Sequence, residues 1–378
     1  MSHGHSLYIH VPFCRSRCIY CDFYSTTLGQ DAMLAYVEAV EREVSLRRQY
    51  IKGTRVHTIY IGGGTPSLLP TRLLERLFNA ILRHFSLDAD AEVTVEANPD
   101  DVTPDWLRGI AATPVNRISM GTQTFDDKIL GILRRRHNAQ QTRLAVELCR
   151  EAGIGNISLD LIYGLPGQTM DCWQSDVEQA LGLGIKHLSA YSLSYEEGTR
   201  LDAMLRKGLV QEADEELSRS MYDYLMSATA KAGFLHYEIS NFALPSFHSR
   251  HNSCYWQGTP YLGLGAGAHS YDGQRSRRAN LPDVKAYIAA KGDVPHETEE
   301  LDGDTLYNEF IMTRLRTRGG IPLNELDDDK RSYCLQMAQP HIAHRRLHLD
   351  DGHLRLTKEG IFTSNDIISD LMKVKSEE

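Results

Sequence analysis

The chain has 378 residues, 42% of them apolar and 24% charged, with a formal net charge of −9. These are ordinary globular proportions, enough for one large α/β domain and a smaller one, and the acidic balance argues against general nucleic-acid binding. No apolar run reaches the roughly 20 residues of a membrane helix and the start of the chain lacks a signal-peptide core, so a cytoplasmic protein is expected, with peripheral membrane contact left open.

Short apolar runs at 7–11, 56–61, 92–96, 117–120, 157–161 and 187–190 read as strands rich in Ile, Val, Leu and Tyr. Helix-length segments at 32–49, 71–84, 104–111, 140–152 and 170–181 separate them. Six strands alternating with helices predict parallel βα units and, with no seventh and eighth unit visible, a partial barrel rather than a closed one. Thr103 before Pro104 supplies an N-cap and a proline at the first helical position, and Gly153 suits a helix C-terminus. A further helix is expected at 214–232. Residues 244–273 read as a loop-rich stretch dense in Gly, His and aromatics. Beyond it, helices at 306–318 and 361–373 and a strand at 353–356 suggest a small, mainly helical, winged-helix-like domain. Three parts follow: a barrel over 1–235, a loop-rich connecting region over 236–297 and a C-terminal domain over 298–378.

Of seven cysteines, an odd number, Cys14, Cys18 and Cys21 crowd into a C-x3-C-x2-C run just after the first strand. The other four are scattered, so a disulfide framework is not expected. Active sites of parallel barrels are built on loops at the C-terminal ends of strands. Three thiolates on one tight loop can hold three irons of a [4Fe–4S] cubane and leave the fourth iron open to a small molecule. A zinc site with one ligand from elsewhere is the bland alternative, although the spacing is unusual for zinc. Downstream, Gly62-Gly63-Gly64-Thr65-Pro66 follows the second strand, where adjacent glycines let backbone amides approach a ligand. It is not a Walker loop, because no Gly-Lys-Ser/Thr follows. Polar residues then mark later strand ends: Glu96, Gln123 and Asp160.

These features together resemble the radical SAM enzymes, and the Gly-Gly-Gly-Thr-Pro variant resembles their HemN-like branch. The resemblance implies a partial (βα)6 barrel, a cluster on Cys14, Cys18 and Cys21, and S-adenosylmethionine (SAM) at the open iron, cleaved in that family to a deoxyadenosyl radical. It implies SAM contacts at Gly63, Gly64, Thr65, Glu96, Gln123 and Asp160, with Glu96 meeting the ribose diol. Arg135 matches the arginine that meets the SAM carboxylate, with Arg134 and Arg136 as close competitors. Tyr8 and Tyr20 match cofactor contacts beside the cluster.

The stretches around Tyr307 and Leu356 are similar to the HemN-type C-terminal domain. Two sub-branches compete. The oxygen-independent coproporphyrinogen III oxidases, which decarboxylate two propionates to vinyls, typically read Cys-x-Cys at the end of the cluster motif and have a longer N-terminal extension. Here Phe23 takes the place of that cysteine, and 13 residues precede Cys14. The segment His251 to Trp256 instead matches the H-N-x-x-Y-W motif of the HemW-type haem-binding chaperones. That resemblance implies haem or porphyrin as cargo, recipient proteins of the respiratory kind, and His251, Tyr255 and Trp256 as haem contacts. Imidazole and tyrosinate are both established haem ligands. Which residue touches iron stays open, since Cys254, His248, His251 and His269 all lie nearby.

Overall fold

The computed structural model describes residues 5–373. Six strands run in the expected order: β1 (His5–Val11), β2 (Arg55–Gly63), β3 (Ser86–Ala97), β4 (Arg117–Gln123), β5 (Asn156–Tyr163) and β6 (His187–Ser192). Each pairs in parallel with the next, as the alternation with helices requires. Their apolar positions are buried on both sides of the sheet. Leu7, Ile9, Ile59, Ile61, Val95, Ile118, Leu159 and Leu188 all join one core. The helix starts follow local chemistry. Thr103 Oγ1 accepts from the Trp106 amide at 3.2 Å, ahead of Pro104. Asn138 and Gln141 form a capping box at the head of the helix Ala139–Glu151.

The sheet does not stop at six strands. It continues through β7 (Leu235–Glu238) and β8 (Asn241–Ala243), then β9 (Tyr261–Leu264), β10 (His269–Tyr271), β11 (Ser276–Asn280) and β12 (His296–Glu300). The order is β12-β11-β10-β9-β1-β2-β3-β4-β5-β6-β8-β7. β9 runs parallel to β1, so the barrel gains a seventh parallel strand on its open side. Antiparallel strands flank both edges. The loop-rich reading of this stretch is therefore corrected. Its strands are only three to five residues long and interrupted by Gly263, Gly265 and Gly267, which hides any alternation.

A buried polar knot ties this addition to the barrel. Glu43, on the helix Gln30–Arg47, pairs with Arg47 at 2.8 Å and accepts from Asn280 Nδ2 at 2.7 Å, the Tyr287 hydroxyl at 2.6 Å and the Gly265 amide at 2.8 Å. A buried carboxylate is tolerated because every lone pair has a donor.

A second, separate core gathers Tyr307, Ile311, Leu315, Ile321, Leu347, Leu354 and Ile367. It joins the helix Gly303–Leu315, a helix over Asp328–Ala343 and a three-stranded antiparallel sheet of β13 (Ile321–Pro322), β14 (Leu347–Asp350) and β15 (His353–Leu356), ordered β13-β15-β14. Helices packed with the β14–β15 hairpin, and two short helices after it, give the winged-helix-like arrangement. The single helix expected at 361–373 is two, Lys358–Phe362 and Ser364–Leu371, because Thr357 caps the first and Thr363 breaks from helical geometry between them. Among the described residues no helix is long and apolar enough to cross a membrane.

Candidate cofactor site and the helix behind it

The loop after β1 carries Cys14, Cys18 and Cys21 to the C-terminal end of the barrel, where all three line one cavity of about 450 Å³. Tyr20, Gly63, Gly64, Thr65, Glu96, Gln123, Arg135 and Asp160 line the same cavity. Residues from Cys14 to Asp160 meet because they stand on neighbouring parallel strands or on the segments that follow them. Among the described residues no three His, Cys, Asp or Glu side chains are gathered around one point as ligands of a single ion would be. The thiols of a cubane each bind a different iron and have no need of that convergence.

The glycine loop is clasped to the cysteine loop by its backbone. The Gly64 amide donates to Val11 O and the Thr65 amide to Phe13 O, both at 2.8 Å, while Thr65 Oγ1 sits 3.5 Å from Cys14 Sγ. Gly63 has φ +113°, and a Cβ there would lie 2.5 Å from the His10 ring. A Cβ on Gly64 would lie 2.8 Å from Phe13 O, so the two loops can close only over glycine.

Glu96 sits on the cavity floor. Its Oε1 accepts from the Tyr60 hydroxyl at 2.7 Å and its Oε2 from the Gly63 amide at 3.0 Å. Burial, with Asp160 nearby, pushes its carboxyl up to about 7. Asp160 is raised by burial as well and takes the Ser119 hydroxyl at 3.3 Å on either oxygen. The cation facing both is Arg117, fully buried inside the barrel with its Nε unpartnered. The structure separates the three adjacent arginines. Arg135 reaches Cys18 Sγ at 3.3 Å and Gly121 O at 2.6 Å, and its Nε is buried without a partner. Arg136 is committed to Asp100 and Asp101, at 3.0 and 2.8 Å. Arg134 is exposed at positive φ. Tyr8 is set back from the cavity: its hydroxyl meets His10 Nδ1 at 3.0 Å and its ring lies along Tyr60.

Arg117, Tyr60 and Ser119 also line the cavity and escaped the sequence reading; Asn252 of the H-N-x-x-Y-W motif lines it too, a place the sequence reading does not give it. Arg117 and Tyr60 stand inside strands, where only knowledge of which face looks inward could have marked them. For the carboxylate, the expectation is a pH-dependent cofactor affinity. If Glu96 meets the ribose diol, as the family resemblance implies, it can accept both hydroxyls only as a carboxylate, and SAM binding should then strengthen as pH rises through about 7. Glu96→Gln should flatten that dependence, as anaerobic equilibrium dialysis from pH 6 to pH 8.5 can read.

The helix Arg250–Trp256, capped by Ser249, packs behind this floor. His251 is 1% exposed, and both ring nitrogens are engaged, Nδ1 with Thr58 Oγ1 and Nε2 with the Tyr255 hydroxyl, each at 2.9 Å. Its ring stacks on Tyr60 with centroids 5.0 Å apart, and burial pushes its imidazolium down to about 3. In this conformation both His251 ring nitrogens and the Tyr255 hydroxyl are taken up by protein partners. Positions 251 and 255, one turn apart, share the helix face that packs into the barrel. Trp256 is directed elsewhere, into a second cavity.

The geometry defines a radical SAM barrel, and comparison with known proteins agrees. The radical SAM superfamily model matches residues 8–180, and the HemN C-terminal domain model matches 301–363. A solved structure of coproporphyrinogen III oxidase (HemN) from Escherichia coli superposes with a TM-score of 0.83 over 98% of this chain and 90% of that one, at 22% identity, which speaks for the fold. Heme chaperone HemW of Lactococcus lactis is 37% identical over 96% of both chains, and that of Mycobacterium tuberculosis 34% identical over 97% and 94%. A mitochondrial relative from Bos taurus, radical S-adenosyl methionine domain-containing protein 1, is 33% identical over 85% of this chain and 70% of its own. The chain belongs to the HemW family of radical SAM proteins.

Proposed function

We propose that this protein is a haem-binding chaperone that holds a [4Fe–4S] cluster on Cys14, Cys18 and Cys21, binds SAM beside it, and passes haem to recipient proteins, respiratory ones among them. The observation that carries the reading is likeness to a heme chaperone along 96% of both chains. The cavity supports the cofactors. Three thiols face it, a glycine cradle closes against the cysteine loop, a buried carboxylate offers acceptors and Arg135 presents a guanidinium. The cluster, when bound, supplies an electron to SAM.

In this reading each residue does a definite thing. Gly63 and Gly64 admit the amino-acid end of SAM to the backbone, and Arg135 pairs with its carboxylate. Glu96 orients the ribose, Tyr60 and the Gly63 amide hold Glu96, and Gln123 and Asp160 complete the polar wall. Phe23 stands 67% exposed at the cavity mouth, where it offers no thiol. The test is an anaerobic titration of the reconstituted protein with haem, followed in the Soret region. A saturable transition of fixed stoichiometry is the expected result. A featureless, non-saturating rise would contradict it.

A further inference from the structure

A second cavity, of about 1130 Å³, lies apart from the cofactor site. It opens between the barrel and the C-terminal domain. One wall is β7 with His248 and Trp256, and the other is the turn 314–320 with β15. Its volume exceeds the roughly 300–1,000 Å³ of ordinary ligand sites and suits a large flat ligand.

Four features of the lining go together. His248 lies against Tyr237, ring centroids 4.3 Å apart, and neither of its ring nitrogens has a hydrogen-bond partner among the described residues. His248 is only partly buried, whereas the buried barrel histidines His10, His137, His187 and His251 each have at least one partner. Trp256 presents an aromatic face with its indole Nε1 buried and unpartnered. Arg316 and Arg318, two positions apart on the turn, form no ion pair among the described residues, and the Arg316 side chain bonds only the neutral Asn365, at 3.3 Å. Leu235, Leu315, Leu356 and Ile361 supply the apolar remainder. Neither guanidinium is held in an ion pair, although Arg316 lies in reach of the field of Glu238 in the same lining; the pair can take anions, and a spare imidazole can take a metal or a proton donor.

Resting on the chaperone reading above, we infer that this interdomain cavity is the haem site, with His248 as the axial ligand, Trp256 against the macrocycle and Arg316 and Arg318 pairing the two propionates. Haem is the ligand that answers all four features: iron for the imidazole, a flat apolar ring for Trp256 and the leucines, and two carboxylates for the arginines. The placement also gives the H-N-x-x-Y-W helix a division of labour. Asn252 lines the cofactor cavity and Trp256 the haem cavity, while His251 and Tyr255 fix the helix between them. Cofactor and cargo then lie on opposite sides of one short helix.

The experiment titrates ferric haem into the full-length, cluster-loaded protein and into His248→Ala, a double Arg316→Glu/Arg318→Glu variant and His269→Ala. Cluster absorbance and far-ultraviolet circular dichroism serve as folding controls. His248→Ala should lose the histidine-ligated Soret spectrum and bind at least roughly tenfold more weakly, with added imidazole restoring the spectrum. The double arginine variant, altered only outside the cores, should weaken haem by about tenfold or more but leave binding of haem dimethyl ester unchanged. His269→Ala should behave as wild type. An unchanged spectrum and affinity in His248→Ala, or equal losses of haem and its ester in the arginine variant, would overturn this placement while leaving the chaperone reading intact. Failure of the wild-type protein to bind haem would sink that reading and this one with it.

Discussion

Replacing any one of Cys14, Cys18 and Cys21 with serine should abolish the brown absorbance of the anaerobically reconstituted protein and, with it, SAM binding. The reasoning is geometric. All three thiols come from one eight-residue segment whose Cys14 end is pinned: the Cys14 amide donates to Thr26 O at 2.8 Å, and the glycine loop closes against Val11 and Phe13 just before it. A cubane held by three cysteines has no spare protein ligand, so losing one leaves two irons unheld, and a serine hydroxyl does not replace a soft thiolate. The fold should survive. The three cysteines are only partly buried and belong to none of the apolar cores. Iron and sulfide assay, with SAM binding by equilibrium dialysis, checks the effect. Near-wild-type iron content in all three single variants would mean the metal is held elsewhere.

His251→Ala should cost about 3–5 kcal/mol of stability, the sum of a cavity in the barrel floor and two hydroxyls stripped of their partner. Thr58 Oγ1 and the Tyr255 hydroxyl each point at a ring nitrogen at 2.9 Å, with Tyr60 stacked alongside. The loss should propagate to the cofactor, because Tyr60 also holds Glu96 at 2.7 Å. Weakened SAM binding and a lowered unfolding midpoint should therefore appear together, with the haem spectrum of the remaining folded fraction unchanged. Denaturant titration alongside Soret spectra separates the two. Normal stability with a lost haem spectrum would return His251 to the role of iron ligand.

The contrast between these two sites shows where sequence carries information. The cysteine run and the glycine loop are legible because each is local: spacing alone puts thiols on one loop and amides on another. The six parallel strands are legible because both faces are buried, so they read as continuous apolar runs. The strand β9 was hidden, being four residues long in a glycine-rich stretch, and so was the fact that it closes against β1. Arg117, fully buried among carboxylates, reads in sequence as an ordinary strand residue. The motif from His251 to Trp256 was visible as a motif, but not how its residues divide between neighbours. A seven-residue helix turns its residues to different sides, and only packing decides that His251 faces Thr58 while Trp256 faces a cavity. Of the three arginines at 134–136, composition could rank none. The distances to Cys18 and to Asp100 and Asp101 do.

Carriage of haem, rather than decarboxylation, is the property that separates the two readings of this fold. The most direct measurement incubates the cluster-loaded protein anaerobically with coproporphyrinogen III, SAM and a reductant, and resolves the porphyrins after oxidation, with haem titration in parallel. The expected result is saturable haem binding with no vinyl porphyrin beyond background. Multiple turnovers to protoporphyrinogen IX would contradict it, and would make Phe23 a tolerated substitution in a porphyrin-synthesising enzyme.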